Sequence, residues 1–310
     1  MLITGATGLL GSAICKHAAD YFDLFGVARN CTSLPADCVA VWLDLVNRNE
    51  LIRALGEACP HVIVHCAAMT DVDLCETEPQ ATRDLHVDAS RTLAEWAEEH
   101  GSRLIYVSTD SVFDGCAGNY SELDLPAPLN EYARTKLAGE ITVRDANPSA
   151  LILRANFYGL GGKGHSLVQW VLSALESGQV VRAFADVRFN PLPVRLLAEI
   201  LVDLISRSAA GIFHAGASDS CSKYDFTCHL AEILGFEPER VIPISVCEHR
   251  FRARRPKNTT LNVRKISEFF GRQMPKVFDG LLLFRKEVEG EHSGGSNSKP
   301  HILTEASYKR

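Results

Sequence analysis

Apolar runs of strand length alternate with helix-patterned segments along the first half of the chain. The runs are MLIT (1–4), LFGVA (24–28), VAVWL (39–43), HVIVHC (61–66), RLIYVS (103–108) and ALILRA (150–155). Between them lie LLGSAICKHAADY, NELIRALGEAC and ASRTLAEWAEEHG, whose apolar positions recur at helical spacing. Strands that are apolar on both faces and alternate with helices predict an α/β fold, a doubly wound parallel sheet covered on both sides.

Past residue 156 the pattern changes. Glycines cluster in YGLGGKGH, followed by a predicted helix (SLVQWVLSALESG), a strand (VVRAF) and the loop FADVRFNPLP. A helix over 195–207 and the strand GIFHAG (211–216) predict a return to the sheet. The expected division is therefore a dinucleotide-binding domain at 1–156, rejoined by 192–216. A smaller α/β substrate-binding domain comprises 157–191 and 217–287 and caps the strand ends. From EGEHSGGSNSKP onward the chain is polar and rich in Gly and Ser, so 288–310 is expected to be a flexible tail.

Composition narrows the classes. The 310 residues are 46% hydrophobic and 23% charged, and the net charge is −6. That suits a soluble protein with ample core. The longest basic cluster is ARRPK (253–257), so no nucleic-acid partner is expected. The apolar stretch LPVRLLAEILVDLI is broken by Arg195, Glu199 and Asp203, and the first motif begins at once. Neither a membrane partner nor a leader is expected, and the expected location is cytoplasmic. Ten cysteines without a Cys-x-x-Cys pair imply reduced thiols rather than a disulfide framework or a metal site. His61 and His65 lack a third ligand nearby and read as structural. Trp42, Trp96 and Trp170 read as core residues.

MLITGATGLLG sets Gly5, Gly8 and Gly11 between a strand and a helix. Glycines there let the backbone turn and approach a pyrophosphate, and the next helix offers its N-terminal N–H groups. Thr7, Leu9 and Leu10 belong to the same turn. At the end of the second strand Arg29 suits a 2′-phosphate, which favours NADPH over NADH. Asp44, with Leu45 beside it, would accept from the adenine amino group. Cys66, Ala67 and Ala68 would run beside the cofactor ribose.

The fifth strand ends in VSTDSVFDG, and Ser108 and Thr109 are expected to point into the cofactor crevice. In PLNEYARTKLAGE, Tyr132 and Lys136 stand one helical turn apart. A phenol is a weak acid at neutral pH, and an ammonium one turn away would lower its pKa toward the working range. Lys136 with Glu140 is also an i,i+4 pair worth a few tenths of a kcal/mol.

Together TGATGLLG, the Ser-Thr-Asp strand end and Tyr-Ala-Arg-Thr-Lys resemble the extended short-chain dehydrogenase/reductases, with their Rossmann-type fold. HVIVHCAAMTDVDLCETEP, YVSTDSVFDG, PAPLNEYARTKLAGE and ARRPKNTTLNVRKI resemble the dTDP-4-dehydrorhamnose reductase branch, from residue 1 to about 280. The resemblance implies Tyr132 as the proton donor to a sugar carbonyl, Lys136 as its partner and a ribose contact, and Thr109 as the hydroxyl member of the triad. It implies Thr70 and Val72 lining the nicotinamide and sugar site, and a nucleotide-linked 4-keto-6-deoxy sugar as substrate. A homodimer is the expected assembly.

Three segments depart from that branch on the substrate side. Ser111 stands where Tyr is common, Asn156 and Phe157 replace part of Arg-Thr-Ser-Trp, and Leu192 and Leu196 stand for Thr and Asp. Arg254, Arg255 and Lys257 could meet a diphosphate, with Arg255 the chosen contact. Two other readings stay open: a nucleotide-sugar epimerase, suggested by Asn156 before Tyr158 and Gly159, and a non-catalytic regulatory subunit like that of methionine adenosyltransferase.

Overall fold

The computed structural model describes residues 1–29, 34–35, 38–161 and 166–292. Its strands are β1 (Leu2–Thr4), β2 (Leu24–Ala28), β3 (Cys38–Trp42), β4 (Val62–His65), β5 (Arg103–Thr109), β6 (Leu151–Ala155), β7 (Phe157–Tyr158), β8 (Val181–Phe184), β9 (Arg188–Phe189), β10 (Leu192–Pro193), β11 (Gly211–Ala215), β12 (Cys221–Ser222) and β13 (Val241–Ile244). The helices are α1 (Leu9–Ala18), α2 (Arg48–Ala58), α3 (Val72–Thr77), α4 (Pro79–Arg83), α5 (Ala89–His100), α6 (Glu131–Ala146), α7 (Leu167–Glu176), α8 (Val194–Ser206), α9 (Lys223–Ile233), α10 (Arg264–Phe270) and α11 (Val277–His292).

Among the described residues a seven-stranded sheet runs in the order β11-β6-β5-β4-β1-β2-β3, every neighbouring pair parallel. The strand pattern explains its two covered faces. Successive side chains point to opposite sides, so Ile3, Val64, Ile105 and Leu153 join one apolar cluster with α1 and α8. Leu2, Ile63, Leu104 and Ile152 join a second cluster with α2 and α5. Fully burying each such side chain stabilises the fold by about 1.5–3 kcal/mol. Further along the chain, α8 packs on α1, and β11 pairs with β6.

The remaining segments build small pairs beyond the strand ends: β7 with β10, β9 with β12, and β8 with β13. The apolar cluster on the α1 side extends without a break into α9 (Phe226, Leu230) and α11 (Leu281, Phe284).

Several expectations change. β3 is an edge of the sheet and mostly exposed, with no strand beyond it among the described residues. Trp42 on that edge is 41% exposed and Trp170 47%, whereas Trp96 is buried. Residues 288–292 continue α11 instead of opening a tail; residues 293–310 and most of GGKGH lie outside the described residues. Nine described cysteines are free thiols. No described helix is long and apolar enough to cross a membrane.

Candidate active site

At the carboxyl end of β1, Gly5 takes a left-handed φ of 65°, and a Cβ there would lie 2.9 Å from the Ala67 backbone. A Cβ on Gly11 would collide with the Gly5 carbonyl. Only glycine fits either position. Gly8 is the N-cap of α1 and no side chain caps this helix end, which leaves a dipole end fit for an anion. Thr7 and Leu9 are half-buried at the rim, while the Leu10 side chain is committed to the core. Leu10 can therefore reach a ligand only through its backbone.

Thr4 ties the turn to β4. Its hydroxyl accepts from Ala67 N at 3.2 Å and bonds His65 Nδ1 at 2.6 Å. His65 Nε2 meets Ser90 Oγ at 3.0 Å, and Ser90 donates onward to the His86 carbonyl. Both His65 nitrogens are thus occupied, and burial pushes its pKa down to about 3. Cys66, Ala67 and Ala68 follow half-buried beside the glycine turn. Arg29 and Asp44 are both exposed, at the ends of β2 and β3, and the Leu45 side chain is buried in the core.

Asn130 starts α6 by accepting from Ala133 N at 2.9 Å while its amide donates to the Arg254 carbonyl. Glu76 accepts from Glu131 N at 2.8 Å. These caps fix the helix that carries Tyr132 and Lys136. Gly139 lets α6 approach closely: a Cβ there would overlap the Tyr106 hydroxyl and the His86 carbonyl. His86 sits in a π-helical turn (Asp84–Asp88), accepts from Met69 N at 2.9 Å, and meets the Tyr132 ring edge-on at 5.9 Å.

Burial dominates at the Tyr132 phenol and pushes its pKa up to about 12, against the lowering effect of the neighbouring Thr109 side chain. Lys136 does not lower it as the spacing suggested. Its ammonium turns away, donating to the Val107 carbonyl at 2.8 Å and lying 4.0 Å from the Tyr106 ring centre. Burial pulls Lys136 down to about 7, against the charge of Glu140. Glu140 is not its salt-bridge partner either. It is chelated by Arg154, whose Nε and Nη2 donate at 2.9 and 2.6 Å, and it accepts from Ser108 Oγ. Ser108 therefore faces α6 and not the crevice, because alternation along β5 sends it opposite to Thr109.

The substrate-side residues gather on Asp110. Its carboxylate accepts from Thr109 Oγ1 (3.2 Å), Ser111 Oγ (3.3 Å), Asn156 Nδ2 (2.8 Å) and Thr259 Oγ1 (2.6 Å). Phe157 is half-buried in β7, opposite the fully buried Leu192; Leu196 is half-buried in α8. Thr70 is exposed after β4, and Val72 opens α3, whose Asp73 accepts from Arg255 Nη2 at 3.0 Å. Lys257 is engaged with Asp186 at 3.1 Å, and Arg254 is exposed. No group of three metal-ligating side chains occurs among the described residues.

The family described as "RmlD substrate binding domain" matches residues 1–288. The chain belongs to this family. A dTDP-4-dehydrorhamnose reductase from Bacillus anthracis, solved in complex with NADP, is 29% identical and superposes with a TM-score of 0.80 over 92% of this chain and 98% of that one. A hypothetical dTDP-4-dehydrorhamnose reductase from Sulfolobus tokodaii is 28% identical, with a TM-score of 0.80 over 90% and 98%. By sequence, a probable low-salt glycan biosynthesis reductase from Haloferax volcanii is 32% identical over 284 residues, 90% of this chain and 95% of the relative. The methionine adenosyltransferase 2 subunit beta of Pongo abelii is also 32% identical over 284 residues, 86% and 81%.

Within this RmlD family member, three contributors escape a reading of the sequence. Asp110 is visible in Ser-Thr-Asp, yet its role as hub depends on Thr259, which is 149 positions away. His86 and Arg154 carry no motif.

Proposed function

We propose that the chain is an NADPH-dependent reductase of a nucleotide-linked 4-keto-6-deoxy sugar. The single observation that carries this reading is Tyr132 on α6 beside Thr109 at the carboxyl end of β5, with buried Lys136 one turn further along the helix. The sheet order puts β5 and the glycine turn of β1 on either side of β4, so one crevice serves both.

The residues fit a nicotinamide dinucleotide. Gly5, Gly8 and Gly11 leave room for a pyrophosphate over the uncapped N-terminus of α1. Arg29 and Asp44 would take the adenosine end, and Cys66, Ala67, Ala68 and Lys136 the nicotinamide ribose. When bound, the cofactor supplies the hydride. Tyr132 holds its proton firmly at neutral pH, as an acid in this direction must. An alkoxide forming on the sugar is far more basic than a phenolate, so transfer from Tyr132 is downhill even from a pKa of about 12. Thr109 orients that hydroxyl, and Asp110 fixes Thr109. Thr70, Val72, Ser111, Asn156, Phe157 and Arg255 would frame the sugar and its phosphates.

The test is turnover: purified protein with NADPH and an enzymatically made dTDP-4-keto-6-deoxy sugar should oxidise NADPH. Tight cofactor binding without oxidation would overturn the enzyme reading. A second reading, a non-catalytic subunit of a larger assembly, is favoured by the equal identity to the methionine adenosyltransferase 2 subunit beta. It expects a partner to co-purify and turnover to be absent. An epimerase would interconvert the sugar with no net NADPH oxidation.

A further inference from the structure

Cys15 and Cys38 lie 23 positions apart in the chain and belong to no Cys-x-x-Cys motif, yet their sulfurs meet at 3.8 Å. Both are free thiols. Cys15 sits on the inward face of α1, fully buried with Ile14 and Ala18 in the apolar cluster under that helix. Cys38 is the first residue of β3, half-buried and packed against the same cluster. Between them lies Gly26 of β2. A Cβ on Gly26 would stand 2.8 Å from the Cys38 sulfur and 3.0 Å from the Ala6 methyl. The bare glycine therefore leaves a hollow through which the Cys38 side chain reaches across β2 to α1.

The two thiols are not equivalent. The hydrogen bond between them lowers the pKa of Cys38 and raises that of Cys15, so Cys38 is the one that becomes a thiolate. The thiolate is the reactive form of cysteine, and access decides which thiolate meets an oxidant. Cys38 has that access and Cys15 does not. Cys38 also has the freedom to move. It enters β3 from a turn, its N–H held by the Pro35 carbonyl at 3.1 Å, and β3 is an edge strand. Cys15 is fixed in the middle of a helix. A disulfide bond is about 2.05 Å long, so the sulfurs must close by about 1.8 Å. Rotation of the Cys38 side chain with a small shift of the edge strand covers that distance.

We propose that Cys15 and Cys38 form a redox modification site that takes a hydroperoxide as oxidant and closes to a reversible disulfide. The Cys38 sulfur attacks the terminal peroxide oxygen, and the O–O bond breaks. Cys38 becomes a sulfenic acid, and the other oxygen leaves as an alcohol, or as water when the oxidant is hydrogen peroxide. The Cys15 sulfur then attacks the Cys38 sulfur, the S–O bond breaks, and the hydroxide departs as water with the Cys15 proton. Two thiols thereby give two electrons to the peroxide bond, and their two protons end on its two oxygens. The new bond ties α1, which begins at the glycine turn, to β3, which leads to Asp44. The site is independent of the nucleotide-sugar reading and stands whether the chain is a reductase or a non-catalytic subunit.

The test treats the folded full chain with hydrogen peroxide, then alkylates the remaining thiols in denaturant and maps the peptides by mass spectrometry. In the wild type, alkylation should miss Cys15 and Cys38 together, and one linked peptide should carry both. Dithiothreitol should restore both thiols. Cys15→Ser removes the second step, so that variant should stop at the Cys38 sulfenic acid, about 16 Da heavier and trapped by dimedone. Cys38→Ser should leave Cys15 fully alkylated after the same treatment. The exposed Cys59, Cys116 and Cys247 report within the same sample that the oxidant has acted. Cys15 and Cys38 both still alkylated in the wild type once those three have reacted would overturn the proposal. A disulfide from Cys38 to any other cysteine would overturn it as well.

Discussion

Replacing Lys136 by Met gives a direct measure of how the fold treats its most sheltered ammonium. Lys136 is 3% exposed, with Val107 and Tyr106 as its close contacts, and titrates at about 7 against an ordinary 10.5. Below pH 7 the lysine is charged in both folded and unfolded chains, so the folded state carries the whole cost of burying it. Between 7 and 10.5 the unfolded lysine keeps a proton that the folded one has lost, so stability rises with pH. The full gap corresponds to about 5 kcal/mol, of which about 3 kcal/mol appears between pH 7 and about 9.5. Urea unfolding of wild type and Lys136→Met across that range isolates the effect, because the other titrating groups cancel in the difference. The wild type should gain about 3 kcal/mol on the variant as the pH rises. A flat difference would refute the burial of a charge at this position. The same variant should lose turnover, since Lys136 belongs to the proposed cofactor site.

Two further perturbations probe the support beneath the site. Arg154→Met strands the Glu140 carboxylate, which is 2% exposed, and should cost about 3–5 kcal/mol in urea unfolding, whereas the double change Glu140→Leu with Arg154→Leu should recover much of that. A loss below about 1 kcal/mol for Arg154→Met would show the pair to be hydrated. Gly139→Ala pushes a methyl into the His86 carbonyl and should cost about 1–3 kcal/mol while reducing turnover, because α6 carries Tyr132. Unchanged stability and kinetics would show that α6 has room to shift.

Much of the fold is legible in the sequence because two-sided burial writes itself into uninterrupted apolar strands. Leu2 and Ile3 or Leu104 and Ile105 need no further context. Strand order is not written there, so the exposed edge position of β3, and with it Trp42, could not be read. The glycine turn and the Tyr132/Lys136 spacing are local and were readable. Ser108 was misread although the signal existed: neighbours on a strand cannot both face one crevice, and Thr109 takes it. The direction of the Lys136 ammonium follows from the Val107 carbonyl and Tyr106, which only tertiary packing brings near. Asp110 and Thr259 meet across 149 positions of chain, and nothing local marks the pair.

The central claim, that Tyr132 delivers the proton as hydride reaches a sugar carbonyl, is tested most directly by isotope transfer. NADPH carrying deuterium at C4 of the nicotinamide is incubated with the chain and a dTDP-4-keto-6-deoxy sugar, and the product is weighed by mass spectrometry. The account predicts one deuterium in the reduced sugar for the wild type, and a large loss of product for Tyr132→Phe with NADPH binding retained. Unlabelled sugar with the cofactor fully bound, or undiminished labelling by Tyr132→Phe, would contradict it.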